Sequence, residues 1–225
     1  MNVLIFGATG MVGQGVLREC LRDPGVERVL TVGRTATGVR DPKLREIVHA
    51  DLTSYASIEA QLAGFHACFF CLGVSSVGMR EADYERVTYD ITLAAAQTLV
   101  RLNQGMTFVY VSGAGTDSSE GGRMMWARVK GKTENALLCL PFKAAYMFRP
   151  GAIQPRHGVR SKTAAYRVLY SLTAPLLPLL RRLSPGLILT TDQIGRAMLV
   201  VARKGAPKNV LESRDISALA PAGQA

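Results

Sequence analysis

The chain has 225 residues, and its hydrophobic share of 48% and charged share of 20% are ordinary for a globular domain. Its formal net charge of +10 suits an anionic ligand, and since no nucleic-acid-binding motif accompanies the scattered basic residues, a nucleic-acid partner is not expected. Four cysteines in a chain of this length do not indicate a secreted disulfide framework, and no run of about 18 uncharged apolar residues predicts a membrane-spanning helix.

Strands and helices alternate along the first 150 residues. Apolar runs predict strands at 2–6, 28–33, 45–49, 67–72, 106–112 and 143–149. Helical patterns lie between them, near 11–22, 55–62, 81–102 and 122–139. Because the strands lack polar alternation, they suit a parallel sheet that is covered on both faces. The pattern predicts an α/β protein with a doubly wound parallel sheet, the Rossmann fold, and residues 1–225 are expected to form a single domain.

The pattern changes after Gly151. Residues 152–189 combine basic and apolar stretches with two prolines, and we expect them to form a variable lid over a small-molecule substrate. Their basic residues favour an anionic substrate. Alternatives for the apolar face are a homodimer contact or, at residues 164–183, contact with a membrane surface.

A last unit closes the chain. It consists of a strand at Leu187–Thr191, a helix to about Arg203 that Thr191 or Asp192 caps, and a strand at Val210–Glu212. The tail from Ala218 onward is expected to be loose.

Two observations bear on the compartment. Residues 1–6 enter a strand without the basic region and cleavage site of a signal peptide. Cys68 and Cys71 have a CxxC spacing, but on one strand residues three apart point to opposite faces, so we assign them to packing and expect no metal site. The thiols indicate a reducing environment, and we expect a cytoplasmic protein.

A glycine-rich turn, Gly7-Ala8-Thr9-Gly10-Met11-Val12-Gly13, joins the first predicted strand to the first helix. Gly7 permits a sharp exit from the strand, Gly10 lets the backbone approach a pyrophosphate, and Gly13 lets the helix lie close to the sheet. Free N–H groups and the positive end of the helix dipole favour a diphosphate there. In this context the turn predicts binding of a nicotinamide dinucleotide, with a purely structural turn as the alternative.

The end of the second strand distinguishes the two nicotinamide dinucleotides. An acidic residue there would accept hydrogen bonds from the ribose 2′-hydroxyl of NAD(H), but the sequence has Val32-Gly33-Arg34-Thr35. A guanidinium pairs instead with the 2′-phosphate of NADP(H). We therefore expect NADP(H) to be preferred over NAD(H), unless Arg34 is only a surface residue.

Several motifs resemble those of the atypical short-chain dehydrogenase/reductases. They are the GxxGxxG spacing at Gly7, Gly10 and Gly13, together with Ala50-Asp51-Leu52, Cys71-Leu72-Gly73, Tyr110-Val111-Ser112-Gly113-Ala114 and Phe148-Arg149-Pro150-Gly151. Val129-Lys130-Gly131-Lys132-Thr133-Glu134 looks most like the subgroup that contains the Tat-interacting oxidoreductase-like proteins. The resemblance covers residues 1–151 well and 187–212 loosely.

The resemblance implies an adenosine half of the site. Asp51 would accept a hydrogen bond from the adenine amino group, with Leu52 beside the ring. Leu72 and Gly73 would face the adenosine ribose. The structural alternatives are that Asp51 caps a turn and that Gly73 only bends the chain.

It also implies a nicotinamide half. Lys130 would bond the nicotinamide ribose hydroxyls, and Pro150 and Gly151 would border the nicotinamide. The alternative for Lys130 is a pair with Glu134, one helical turn along.

The residue four positions before Lys130 departs from the family's pattern. The family has a Tyr there that protonates the alkoxide formed by hydride addition, and the Lys charge lowers the pKa of that phenol. This chain has Trp126, and an indole N–H does not dissociate near neutral pH. Lys130 and Ser112 remain as candidate catalytic residues, although the Ser112 hydroxyl could instead cap the strand end.

Other proton sources are open, namely His157, Tyr84, Tyr89 or water. The leading hypothesis is an NADP(H)-binding oxidoreductase that acts on a small carbonyl or alcohol. The alternative is a redox-responsive binding protein without turnover, because Trp126 stands where the acid is expected.

Overall fold

The computed structural model describes residues 1–158, 186 and 188–220. The strands of these residues are β1 (Asn2–Phe6), β2 (Arg28–Gly33), β3 (Leu44–Val48), β4 (Ala67–Phe70), β5 (Thr107–Val111), β6 (Ala144–Arg149), β7 (Ala152–Gln154), β8 (Ile188–Thr190) and β9 (Val210–Glu212). The helices are α1 (Met11–Arg22), a 3-10 helix (Ala56–Leu62), α2 (Glu81–Glu85), a π-helical turn (Arg86–Asp90), α3 (Ile91–Leu102), α4 (Met125–Leu138), α5 (Thr191–Lys204) and α6 (Ser213–Leu219).

Seven strands form one sheet in the order β3-β2-β1-β4-β5-β6-β9, and every neighbouring pair is parallel. The chain therefore starts in the middle of the sheet and winds outward in both directions, which confirms the predicted doubly wound fold. Phe6 pairs with Val32 on one side and with Phe70 on the other. The carboxyl ends of the central strands thus meet along one edge.

Two apolar clusters cover the two faces of the sheet. Because side chains alternate along a strand, Val3 and Ile5 of β1 face one cluster and Leu4 and Phe6 face the other. Helices α1 and α5 complete the first cluster, whereas the 3-10 helix and α3 complete the second.

Helices α1 and α5 pack without room for side chains between their backbones. A Cβ at Gly15 would lie 2.5 Å from the Cβ of Thr191, and one at Gly195 would lie 3.0 Å from that of Glu19. Near the far ends of the two helices, Arg203 of α5 donates to Asp23 at 2.6 and 2.9 Å. Helix α5 is therefore fixed directly to α1, although the two are far apart in the sequence.

Some predicted boundaries are wrong. The strand predicted at 67–72 ends at Phe70, and residues 55–62 form a 3-10 helix from Ala56 rather than an α-helix. Within the 3-10 helix only Ile58 and Leu62 are buried, so its packing against the sheet does not require the longer apolar stripe of an α-helix.

The C-terminal unit also differs from the prediction. Thr190, rather than Thr191 or Asp192, caps α5: its hydroxyl accepts from the amide of Gln193 at 3.1 Å, and its own amide donates back to the Gln193 side chain at 3.0 Å. The tail is not loose from Ala218, because α6 continues to Leu219 and buries Ile216.

Strand β7 was not predicted from the sequence, and it pairs with β8 in a separate two-stranded parallel sheet. Most of the predicted lid at 152–189, including the 164–183 segment, lies outside the described residues. The lid, the dimer contact and the membrane-surface contact stay predictions. No helix within the described ranges is long and apolar enough to cross a membrane.

The two cysteines of the CxxC pair lie toward opposite faces of the sheet, as predicted. Cys68 belongs to the second cluster, and Cys71 packs against the first. Within residues 1–158, 186 and 188–220, no three His, Cys, Asp or Glu side chains are grouped as a metal would require.

Candidate functional site

The glycine turn is built around two glycines that cannot carry a side chain. Gly7 has a φ of +75°, and a Cβ there would lie 2.5 Å from the amide nitrogen of Leu72. A Cβ at Gly13 would lie 2.1 Å from the carbonyl oxygen of Gly7. The start of α1 therefore sits directly on the end of β1.

The amino terminus of α1 has backbone N–H groups that can donate hydrogen bonds to a ligand. Gly10 is the N-cap residue in extended conformation, and its amide donates to the Gly7 carbonyl at 2.9 Å. No side chain of the described residues caps this end. The N–H groups of the first turn have no partner within the helix, and the dipole makes this end positive.

A residue that the sequence analysis missed supports the same turn. Gln14 donates from its side-chain amide to the carbonyl of Thr9 at 3.0 Å, which holds the middle of the turn against the helix. Ala8 is buried, and Thr9, Met11 and Val12 are half-buried. The turn presents backbone N–H groups at the start of a helix, and such groups fit a diphosphate better than an apolar ligand.

Arg34 lies next to this turn. Since Val32 pairs with Phe6, Gly33 and Arg34 continue β2 alongside Gly7 at the same edge of the sheet. The Arg34 side chain is exposed, and within the described residues it forms no ion pair. The Arg34 guanidinium is therefore available to pair with an anionic group of a ligand.

The two residues after β3 differ in their surroundings. Asp51 is exposed and accepts from the amide and hydroxyl of Thr53 at 2.9 and 2.6 Å, so it does cap a turn. These bonds lower the pKa of the Asp51 carboxyl. Leu52 is only 4% exposed and packs in the second cluster, which leaves little of its surface for a ligand.

The segment after β4 passes directly over the glycine turn. The Leu72 backbone occupies the place that a Cβ of Gly7 would need, and the Leu72 side chain is half-buried. Gly73 is exposed, and a Cβ there would meet nothing within 4 Å. Local packing therefore leaves open the space in front of Gly73.

Lys130 and Ser112 come together at the carboxyl end of β5. The Lys130 Nζ donates to the carbonyl oxygen of Ser112 at 2.8 Å and lies 5.6 Å from the ring centre of Tyr110. The Ser112 hydroxyl donates to the carbonyl of Phe148 at 3.1 Å, so it does tie the ends of two strands together. Burial lowers the pKa of Lys130 to about 8, and the charge of Glu134 opposes this shift.

Glu134 does not form the ion pair that was the structural alternative for Lys130. It is fully buried and pairs with Arg149 of β6, whose guanidinium also donates to the Ser118 hydroxyl at 2.5 Å. Gly131 lets this helix approach the loop after β5, because a Cβ there would lie 1.8 Å from the Asp117 carbonyl oxygen. These contacts fix α4, and the sequence analysis assigned them no role.

Pro150 and Gly151 are anchored by backbone hydrogen bonds. The Pro150 carbonyl accepts from the amide of Ala114 at 2.9 Å, and the Gly151 amide donates to the Ser213 hydroxyl at 2.7 Å. Helix α6, which begins at Ser213, was not predicted, so this anchor was missed as well.

Trp126 lies one helical turn before Lys130 and is half-buried. Its indole ring packs against Gly115, 3.5 Å from where a Cβ of that residue would be. The replacement of the family's Tyr is therefore accommodated by a glycine in the facing loop.

The other candidate proton donors lie elsewhere. Tyr84 is only 2% exposed, and Tyr89 lies beneath the Nζ of Lys132, 4.5 Å from its ring centre. His157 contacts the Asp192 carboxylate of α5 at 2.9 Å, on the face of the sheet opposite α4. The contacts of Tyr89 and His157 are thus with other groups than the Lys130–Ser112 pair, and burial leaves Tyr84 little surface for a substrate.

Comparison with known proteins gives a family and several relatives. A family model described as NAD(P)H-binding matches residues 7–137. The mitochondrial protein FMP52-2 of Scheffersomyces stipitis is 29% identical over 155 residues, which span 68% of this chain and 66% of that protein. The mitochondrial protein fmp52-2 of Aspergillus oryzae is 26% identical over 228 residues, which span 94% and 93%.

A solved structure supports the fold. The Bordetella bronchiseptica enzyme WbmF, in complex with NAD⁺, superposes with a TM-score of 0.67 at 16% identity and covers 96% of this chain and 76% of its own. At this identity the likeness concerns the arrangement of the sheet and helices alone.

The names of the relatives contradict the expected cytoplasmic location. Both FMP52-type proteins are called mitochondrial. Unpaired thiols indicate a reducing environment, but they do not distinguish among the compartments that provide one. The prediction of a cytoplasmic protein is therefore wrong.

The family model covers more than half of the 225 residues, and it includes the glycine turn and most of α4. The chain is therefore a member of the NAD(P)H-binding proteins of the atypical short-chain dehydrogenase/reductase superfamily.

Proposed function

We propose that this protein is an NADP(H)-dependent oxidoreductase that acts on a small carbonyl compound or the corresponding alcohol. The observation that carries the proposal is the amino terminus of α1, where the amides are open and a Cβ at Gly7 or Gly13 would collide with backbone. Such a cradle fits a diphosphate, and the family match supports a nicotinamide dinucleotide.

The proposed adenosine half of the site lies along the ends of β2, β3 and β4. Arg34 pairs with a 2′-phosphate, and Asp51 retains acceptor capacity for the adenine amino group beyond its bonds to Thr53. Leu72 and Gly73 border the adenosine ribose, and Leu52 supports this side from the core.

The proposed nicotinamide half lies at the ends of β5 and β6. Lys130 binds the ribose hydroxyls, and Pro150 and Gly151 border the ring. A bound reduced dinucleotide supplies a hydride. Ser112 fixes the geometry of this end through its bond to Phe148. Residues 152–189 are proposed to cover the substrate, within a single domain of residues 1–225.

A second function, dinucleotide binding without turnover, is favoured by one observation. Trp126 occupies the position of the family's Tyr, and its indole N–H does not dissociate near neutral pH. Its ring packs against Gly115. In that case the protein would respond to the redox state of the dinucleotide pool.

Titration of the full chain with NADPH, followed by oxidation assays at 340 nm with a panel of aldehydes and ketones, separates the two functions. Gly13→Ala should abolish nucleotide binding, whereas Gly105→Ala, in a loop with open space around the new methyl group, should preserve it. Tight binding with no oxidation by any carbonyl would favour the binding protein. If NADPH and NADH fail to bind even at millimolar concentration, both functions are excluded.

A further inference from the structure

The end of β5 presents one hydrogen-bond donor whose proton can leave. Lys130 reaches the Ser112 carbonyl with its Nζ at 2.8 Å, and its side chain is half-buried. An ammonium group has three hydrogens, so one bond to Ser112 leaves two for other acceptors. One of these suits a ribose hydroxyl, and the other is available to a substrate oxygen.

Ser112 does not fill this role. Its hydroxyl hydrogen is directed to the Phe148 carbonyl at 3.1 Å, within the junction of β5 and β6. To donate to a substrate, Ser112 would have to give up that bond. Its contribution is to hold the peptide carbonyl that orients Lys130.

Trp126, Tyr84 and Tyr89 do not fill it either. Trp126 has no dissociable proton near neutral pH. Tyr84 is buried, and Tyr89 lies against Lys132, two residues farther along α4. Among the described residues at this end of β5, Lys130 is the group that combines access with a proton to transfer.

We propose that Lys130 is the general acid of the reaction and donates its proton directly to the substrate oxygen. This inference rests on the proposed oxidoreductase function, and it replaces the missing Tyr with the residue that would normally assist it.

The step balances with the reduced nicotinamide dinucleotide as the reductant. A hydride adds to the carbonyl carbon, and the π-electron pair of the carbonyl moves to oxygen. The N–H bond of Lys130 breaks as the O–H bond forms, which leaves an alcohol and a neutral amine. Solvent returns the proton to the amine before the next turnover.

The surroundings of Lys130 suit a group that changes charge. Burial lowers its pKa to about 8, close to the range in which an acid works best. Tyr110 of β5 faces it with the ring rather than with a charge. Glu134 on the same helix raises the pKa, but its carboxylate is held by Arg149 of β6. From α2, the buried side chain of Tyr84 lies near Tyr110.

The first test needs no substrate. Competitive labelling of the full-length protein with acetic anhydride between pH 6 and 11, read by peptide mass spectrometry, measures the titration of each lysine. Lys130 is expected to reach half of its maximal reactivity near pH 8, with the exposed Lys204 in the same digest as the reference for reagent strength. A midpoint near the ordinary lysine value of about 10.4 would overturn the proposal.

The second test measures the proton transfer. Lys130→Arg keeps charge and hydrogen-bond donors but cannot release a proton, so single-turnover NADPH oxidation with the best carbonyl of the panel should fall roughly 100-fold or more. NADPH affinity, measured by fluorescence titration, should change less than about threefold. The matched control is Lys132→Arg, which is on the same helix and pairs with Glu85, and it should oxidise NADPH at the wild-type rate.

The outcomes separate this inference from the proposed function. If the wild-type protein oxidises NADPH and Lys130→Arg does so equally fast with the same pH profile, Lys130 is not the acid, and the oxidoreductase function stands. If the wild-type protein binds NADPH but oxidises it with no carbonyl, both fail. A wild-type rate of reduction that declines above about pH 8, together with loss in Lys130→Arg, supports both.

Discussion

Arg34 is the residue whose charge has the most direct consequence for ligand choice. It extends from the end of β2 beside the glycine turn and is exposed. A guanidinium in this position has no internal role to fulfil within the described residues. Any role of the Arg34 charge therefore lies in binding a ligand that comes from solvent.

Replacing Arg34 with Ala should weaken NADPH binding about 10- to 100-fold, because a charge-assisted bond to phosphate contributes roughly 1.5–3 kcal/mol. NADH lacks the 2′-phosphate, so its affinity should change less than about threefold. Calorimetric titration of both nucleotides measures the difference. Arg40→Ala, an exposed arginine in the same loop, is the control, and equal losses for NADPH and NADH would contradict the proposed preference.

Lys130 offers a second prediction at this scale. Its pKa is about 8 in the folded protein, below the value of about 10.4 in an unfolded chain. Between these values the unfolded state binds more protons, so the stability contributed by this group rises with pH through that window and is lost as the pH falls toward 8.

Lys130→Met should therefore increase the free energy of unfolding at pH 7 by about 1–3 kcal/mol, since it removes a poorly solvated charge. It should also flatten the dependence on pH between 8 and 10. Urea unfolding of the nucleotide-free protein at pH 7 and pH 9.5 measures both effects. A variant that is less stable than wild type at pH 7 would show that the ammonium is well solvated.

At the scale of elements, the position of α4 depends on an ion pair in the interior. Glu134 is fully buried, and Arg149 joins it from β6 and reaches the Ser118 hydroxyl as well. This arrangement holds the helix that carries Lys130 against the sheet. Damage to the pair should displace the site as well as weaken the fold.

Glu134→Gln should lower the free energy of unfolding by about 3–5 kcal/mol, because it leaves the Arg149 guanidinium without its buried counter-charge. Glu85→Gln removes a partner of the half-exposed pair with Lys132 and should cost less than about 1 kcal/mol. Chemical denaturation of the two variants provides the comparison. Similar losses of unfolding free energy in the two variants would mean that the buried pair contributes no more to stability than the half-exposed pair.

The sequence predicted the elements that are defined by short, regular patterns. The apolar run of β1 and the glycines at 7, 10 and 13 were sufficient to place the first strand, the turn and α1. Patterns of this kind depend on neighbouring residues, which a sequence displays directly. Arg34 was placed by its position at the end of the second predicted strand, whereas the role of Lys130 was implied by the resemblance to a known family.

Contacts between distant segments could not be predicted in the same way. Arg149 and Glu134 are 15 residues apart, and the residues around each of them give no indication that the two side chains pair. Strand β7 has only three residues and exists because β8 pairs with it. The anchor from Gly151 to Ser213 spans 62 residues and depends on a helix that was itself missed.

At the scale of the whole molecule, the ligand and the fold should be linked. A nucleotide that binds only the folded chain stabilises it by about 2.7 kcal/mol at a concentration of 100 times its Kd. For a chain of this size that corresponds to a rise in Tm of roughly 5–10 °C.

Thermal unfolding should therefore show a larger rise in Tm with NADPH than with NADH at equal concentration. The Gly13→Ala variant should show no rise with either, since its turn cannot form the cradle. Differential scanning calorimetry at several nucleotide concentrations measures the effect. A rise that persists in Gly13→Ala would locate the binding elsewhere.

The packing of α5 on α1 has a consequence for the order in which the protein is made. The glycine turn is translated well before Thr191–Lys204, so the helix behind the turn lacks its neighbour until that later segment has been synthesised. Before that moment the side of α1 that packs on α5 has no helix to cover it. Capture of the dinucleotide is thus expected to follow the synthesis of α5, although the glycine turn that performs it is translated well before that helix.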